Sequence, residues 1–147
     1  MGAQFKSKHG IVSTQPAALF MSFTDMRNFV NMLPEDKKKD VSADFDSLHA
    51  KVQGFDIGVK VTRREAYSLI ELQDDGAPFH FVLTLHFDPA QDGAKTDFYI
   101  VADADLNLMM KMMLGGKITE ALDKIVDSLV ALSEGRRPEG MPEDFHF

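Results

Sequence analysis

From about Val41 to Asp105, apolar and polar residues alternate in six consecutive runs, and a single long helical pattern follows from about Leu106 to Ser133. A run that alternates shows one face to a core and the other to water, so six in series describe an antiparallel meander with one dry face. A long amphipathic helix arriving after a curved sheet buries its apolar stripe best across the concave side. That arrangement encloses a hollow. The predicted fold class is α+β: a curved antiparallel β-sheet of about seven strands wrapped around a long C-terminal helix, with two short helices between strands 1 and 2.

The individual elements follow from local chemistry. Phe5 to Val12 alternate as strand one, with Phe5, Ser7, His9 and Ile11 on the inward side and Lys6, Lys8, Gly10 and Val12 on the other. Thr14 is the expected N-cap of a first helix with Pro16 in its first turn, and Thr24 or Asp25 restarts a second that Pro34 ends. A charged turn spans Glu35 to Asp40. The six strands then centre on Val41 to Phe45, Leu48 to Val52, Phe55 to Val61, Ile70 to Leu72, Phe79 to Phe87 and Phe98 to Ala104. Gly54 breaks one junction, and Asp75-Gly76-Ala77-Pro78 and Asp88 to Gly93 carry turn chemistry at two others.

The last helix, at ~1.5 Å per residue, is roughly 42 Å long and spans the sheet. Ile118, Leu122, Ile125, Leu129 and Leu132 form its expected buried stripe. Its first third differs, because Leu106, Leu108, Met109, Met110, Met112, Met113 and Leu114 leave only Asn107 and Lys111 polar, and Gly115-Gly116 offers a place to kink. An apolar start needs cover on more than one side. Residues 1–134 read as one domain and residues 135–147 as a Pro/Gly-rich tail ending in Phe145 and Phe147.

Composition excludes several function classes. A net charge of -7 leaves no excess of cations to displace counterions, which argues against nucleic acid and anionic membrane surfaces. The apolar start of the helix is far short of the ~20 residues a membrane span needs. The absence of cysteine removes thiol nucleophiles, disulfides and thiolate metal sites together. No N-terminal stretch resembles a signal peptide, and Lys6 stands where myristoylation needs a hydroxyl, so the expected location is cytoplasmic.

The order β, α, α, six strands and a long helix, with Phe29 to Asp36 (FVNMLPED), Val52-Gln53-Gly54-Phe55, and Ala104-Asp105-Leu106-Asn107 leading into Met109 to Met113, resembles the START-like, or Bet v 1-like, superfamily (SRPBCC, polyketide cyclase-like). The likeness covers about Phe5 to Leu132 and implies the helix-grip fold. It implies a pocket between sheet and helix, open near the helix start. It implies no particular chemistry, because the same scaffold hosts binders and a few enzymes.

Within that frame the methionine cluster is the sharpest local signal, since methionine repacks around ligands of different shape, although it also fills ordinary cores. His80 and His86 on one strand lie roughly 20 Å apart, too far to share a metal, and read as solvated. No metal site and no cofactor is expected. His9 reads as inward beside Ser7, where an imidazole serves as a hydrogen-bonded core group, orients a ligand's polar end, or acts as a general base. Asp103 and Asp105 read as helix-capping groups, Asp74-Asp75 as turn residues with Asp74 near the pocket rim, and Lys37 to Lys39 as a cluster neutralised by its acidic neighbours. Gly115-Gly116-Lys117-Ile118 is no P-loop, and no zinc-protease helix, dinucleotide fingerprint or nucleophile elbow occurs.

The first functional expectation is a small hydrophobic ligand, lipid-like or polycyclic, held for transport or sequestration. Its lining is Ser7, His9, Ile57, Val59, Val61, Ile70, Leu72, Phe81, Leu83, Leu85, Phe98 and Ile100, facing Met109, Met110 and Met113. The alternatives are a polyketide cyclase/dehydratase-like enzyme using His9 as base, and a protein-interaction scaffold, a homodimer among them, through the helix start and the tail.

Overall fold

The first strand is two strands. In the computed structural model, which describes residues 2–31, 35–52, 55–77 and 79–135, β1 (Gly2–Lys6) and β2 (Gly10–Val12) both pair antiparallel with β8 (Lys95–Asp105). Lys6 stands opposite Val101 and Gly10 opposite Phe98, so residues 7–9 face only residues 99–100. One extra residue makes a bulge, and a bulge moves every later side chain to the other face. The Ser7 amide donates to the Ile100 carbonyl at 2.9 Å, while its Oγ accepts the Ile100 amide at 2.9 Å and donates to the Lys8 carbonyl. Beyond the bulge Val12 is fully buried and Ile11 is exposed, the reverse of uninterrupted alternation.

Three short helices follow: α1 (Pro16–Thr24), α2 (Arg27–Asn31) and the one-turn α3 (Glu35–Lys38), which occupies the expected charged turn. Gln15, not Thr14, stands at the N-cap of α1, and the Thr14 carbonyl instead accepts the buried Thr96 hydroxyl at 2.7 Å. Asp25 does restart α2, taking the Arg27 amide at 3.0 Å. The remaining strands are β3 (Val41–Ala43), β4 (Ser47–Val52), β5 (Phe55–Glu65), β6 (Leu69–Asp74) and β7 (Phe81–Ala90). They order the sheet β1-β8-β7-β6-β5-β4-β3, curved, antiparallel and unclosed. A second bulge falls in β5 between Val61 and Arg63. The Pro34 stop, the Gly54 break and the tail from residue 136 onward lie outside the described residues.

The long helix α4 (Leu108–Ser133) begins two residues later than expected because Asn107, in place of the expected Asp103 and Asp105, caps it, accepting the Met110 amide at 2.8 Å. It packs on β1, β2 and β8. A Cβ added at Gly10 would lie 2.6 Å from Val126 Cγ1 and 2.7 Å from Val130 Cγ2, so glycine is what lets β2 touch the helix. The packed core sits at this end of the concave face. Phe20 and Phe23 of α1 meet Phe87, and Phe23 meets Phe98, at centroid distances of 5.9–6.0 Å, with Val126 and Leu129 of α4 completing the cluster. Val126 occupies the buried stripe where Ile125 was expected, and Ile125 is exposed.

Candidate functional site: an apolar cleft beside the long helix

The concave face divides in two. Ile70, Leu72, Leu85, Phe98 and Ile100, five of the expected lining residues, are buried in the packed core under α1. Ile57, Val59, Val61, Phe81 and Leu83, with Leu48, project from the same face towards its other end and are only half-buried. Described residues therefore leave that half of the sheet partly open.

The orientation of α4 shows what overlooks it. Gly115, where an added Cβ would lie 3.3 Å from the Phe5 ring, Leu122, Val126 and Leu129 recur at three-, four- and seven-residue steps and mark the sheet-facing line. Asp123 accepts the Lys8 amide at 2.7 Å and Asp127 pairs with the Lys8 ammonium, so their flank faces the β1–β2 edge. The opposite flank looks across the concave face. It carries Met110, Leu114 and Ile118 at four-residue spacing, all half-buried. Met109 and Met112 fall on the edge flank and Met113 on the outer side, all exposed with Leu108. Of the three expected methionines, helical geometry brings only Met110 to the cleft.

The two expected polar lining residues are elsewhere. Ser7 is buried, but its hydroxyl is committed to the strand bulge. His9 is placed outside by that bulge, with its side chain 57% exposed and Nδ1 2.9 Å from Asp97 Oδ1. Its ring stacks on Tyr99 at 4.2 Å, and Tyr99 stacks on His86 at 4.5 Å, making a three-ring pile on the convex face. His86 is thus half-buried, not solvated. Burial pushes its pKa down, aided by Lys6 and His9 and opposed by Asp88; burial pushes that of Tyr99 up, as do Asp88 and Asp97. The inward imidazole that the enzyme alternative required is absent from the cleft.

The register leaves two charged side chains on the concave face of the described strands, Asp74 and Arg64. Asp74 accepts the Phe81 amide at 3.0 Å and contacts His80 Nδ1 at 3.0 Å; the amide bond, then His80, hold its carboxyl below the usual range against the opposing effect of burial. It closes the β6–β7 turn, and with Asp103 and Asp105 it rims a depression of about 430 Å³ at the sheet's end. Arg64 borders a groove of about 660 Å³ with Phe45, Asp46, Lys60 and Val61. Alternation in the sequence points to Arg63 as the inward residue; no local signal marks the bulge that substitutes Arg64. Among the described residues no group of three or more metal-binding side chains assembles, and no helix is long and apolar enough to cross a membrane.

A curved antiparallel sheet holding a long C-terminal helix, with an apolar recess beside it, is the helix-grip fold. Solved structures with this fold include a norcoclaurine synthase point mutant from Thalictrum flavum in complex with a transition state analogue. It is 13% identical over 92% of this chain and 96% of that one, with a TM-score of 0.70. A Thermobifida fusca protein is 11% identical over 98% and 97%, at 0.66, and a START superfamily protein from Mycobacterium smegmatis is 13% identical over 86% and 98%, at 0.58. No protein-family model and no curated protein matches the chain.

Proposed function

We propose that the protein binds a small hydrophobic molecule in the cleft between the β4–β7 half of the sheet and the Met110-Leu114-Ile118 flank of α4. The observation that carries this reading is the contrast along one face: full burial under α1, half-burial of equally apolar residues beyond it. Apolar surface left in a concave recess is where a ligand gains most by displacing water. His9, the base that turnover was expected to use, lies outside the cleft against Asp97 and Tyr99, which supports carriage or sequestration. The test is titration with neutral N-phenyl-1-naphthylamine. Saturable fluorescence gain is expected, and Leu83→Trp, which fills the cleft floor, is expected to abolish it while leaving the thermal transition in place. Probe binding indifferent to Leu83→Trp would refute the location.

A second reading rests on a different surface. Leu108, Met109, Met112 and Met113 form an exposed apolar strip beside the β1 edge, which suits a second copy of the chain. Mass measured by light scattering at rising concentration would double, and Met112→Lys would restore the monomer; a monomer throughout would eliminate the dimer.

A further inference from the structure

The concave face of the described strands carries one cation, and a bulge puts it there. Up to Val61 the inward positions of β5 are apolar; the extra residue Thr62 advances the alternation so that Arg64, not Arg63, lies level with Ile70. Arg63 stays outside and pairs with Glu65 at 2.7 Å. Arg64 is only partly committed to its surroundings. Its Nη2 donates to the Thr24 carbonyl at 2.8 Å and the Phe45 carbonyl at 3.4 Å, and reaches Asp46 at 2.8 Å. Its Nε is buried and has no acceptor among the described residues, a costly state for a guanidinium donor. Asp46 is 64% exposed, hence a screened partner that another carboxylate can replace. The Phe45 ring, 4.6 Å from the guanidinium carbon and itself 44% exposed, roofs the group from the solvent side.

A guanidinium offers two parallel N–H donors along one edge, which match the two oxygens of a planar carboxylate. The geometry points to an amphiphilic carboxylic acid as the ligand: its carboxylate replaces that of Asp46 on Arg64, satisfying Nε, and its apolar body lies along Val61, Val59, Leu48 and Leu83. This inference rests on the cleft-binding reading above and names its ligand class. A guanidinium that merely ties Thr24 to the β3–β4 turn would show no preference for an anion.

The test displaces N-phenyl-1-naphthylamine with dodecanoic acid and, separately, with dodecan-1-ol at pH 8. The acid is expected to bind at least about tenfold more tightly than the alcohol. Arg64→Gln should bring the acid down to the alcohol's affinity, and Asp46→Asn should raise the acid alone by several-fold. Asp56→Asn, an exposed change of the same charge on the other face of β5, should leave the ratio as it is. Equal binding of acid and alcohol to the wild type overturns the carboxylate assignment while the cleft reading stands; no binding of the probe or either ligand overturns both. Should Arg64→Gln fail to fold, Asp46→Asn decides, and an unchanged acid-to-alcohol ratio there overturns the inference.

Discussion

The bulge at Ser7 determines which residues of the N-terminal segment enter the core, and Ser7→Ala tests the bond that sustains it. Ser7 is 6% exposed, and its Oγ takes the Ile100 amide that the bulge would otherwise leave without a strand partner. Alanine keeps the backbone bond from Ser7 to the Ile100 carbonyl but strands that buried amide. Leaving a buried donor unmet costs about 1–3 kcal/mol. For a domain of this size each kcal/mol moves Tm by about 2–4 °C, so a central loss of about 2 kcal/mol predicts a fall of about 4–8 °C. The assay is thermal and urea unfolding followed by circular dichroism, with amide exchange read at Ile100, which should speed up. Ser22→Ala, whose hydroxyl bonds the Ala18 carbonyl within α1, serves as control and should stay within about 0.5 kcal/mol. A Ser7→Ala midpoint equal to that of the control would refute the role given to the hydroxyl.

Gly10→Ala should cost about 1–3 kcal/mol through overpacking against Val126 and Val130, and Val130→Ala in the same chain should recover part of it, as a double-mutant cycle in urea would show. The His86 pKa is depressed by burial, so between its folded value and the unfolded ~6.5 the unfolded state binds more protons. Stability should therefore fall as pH drops below about 6.5, and His86→Phe should flatten that slope in unfolding midpoints taken from pH 8 to pH 5. Asp74 has the opposite dependence: its depressed carboxyl stabilises the fold above the unfolded ~3.9 and loses that contribution as pH falls through the folded value. Asp74→Asn should lower stability at pH 7 and converge on the wild type in strong acid.

Much of the architecture is local information. The runs that became β4 to β8 are legible because a period of two needs only a few neighbouring residues, and Gly76 and Gly93 adopt the positive φ expected where the turns were placed. The long helix is legible for the same reason at its own period, and even its apolar start is visible. Which flank of that start overlooks the sheet is not, because it depends on where Lys8 and Phe5 meet the helix. Asn107, and not the expected Asp103 or Asp105, caps the helix, because a cap is fixed by where the backbone leaves the strand.

The alternation of apolar residues determined that this chain makes a meandering sheet and a helix to lie across it. Tertiary pairing alone decided what the sheet's inner face offers. One unpaired residue near Ser7 and another at Thr62 each reverse the alternation that follows, and neither leaves a mark in its own segment, because a bulge exists only relative to the partner strand. By that single physical cause the histidine expected inside stands outside against Tyr99, and Arg64, which unbroken alternation would turn outward, lies on the concave face.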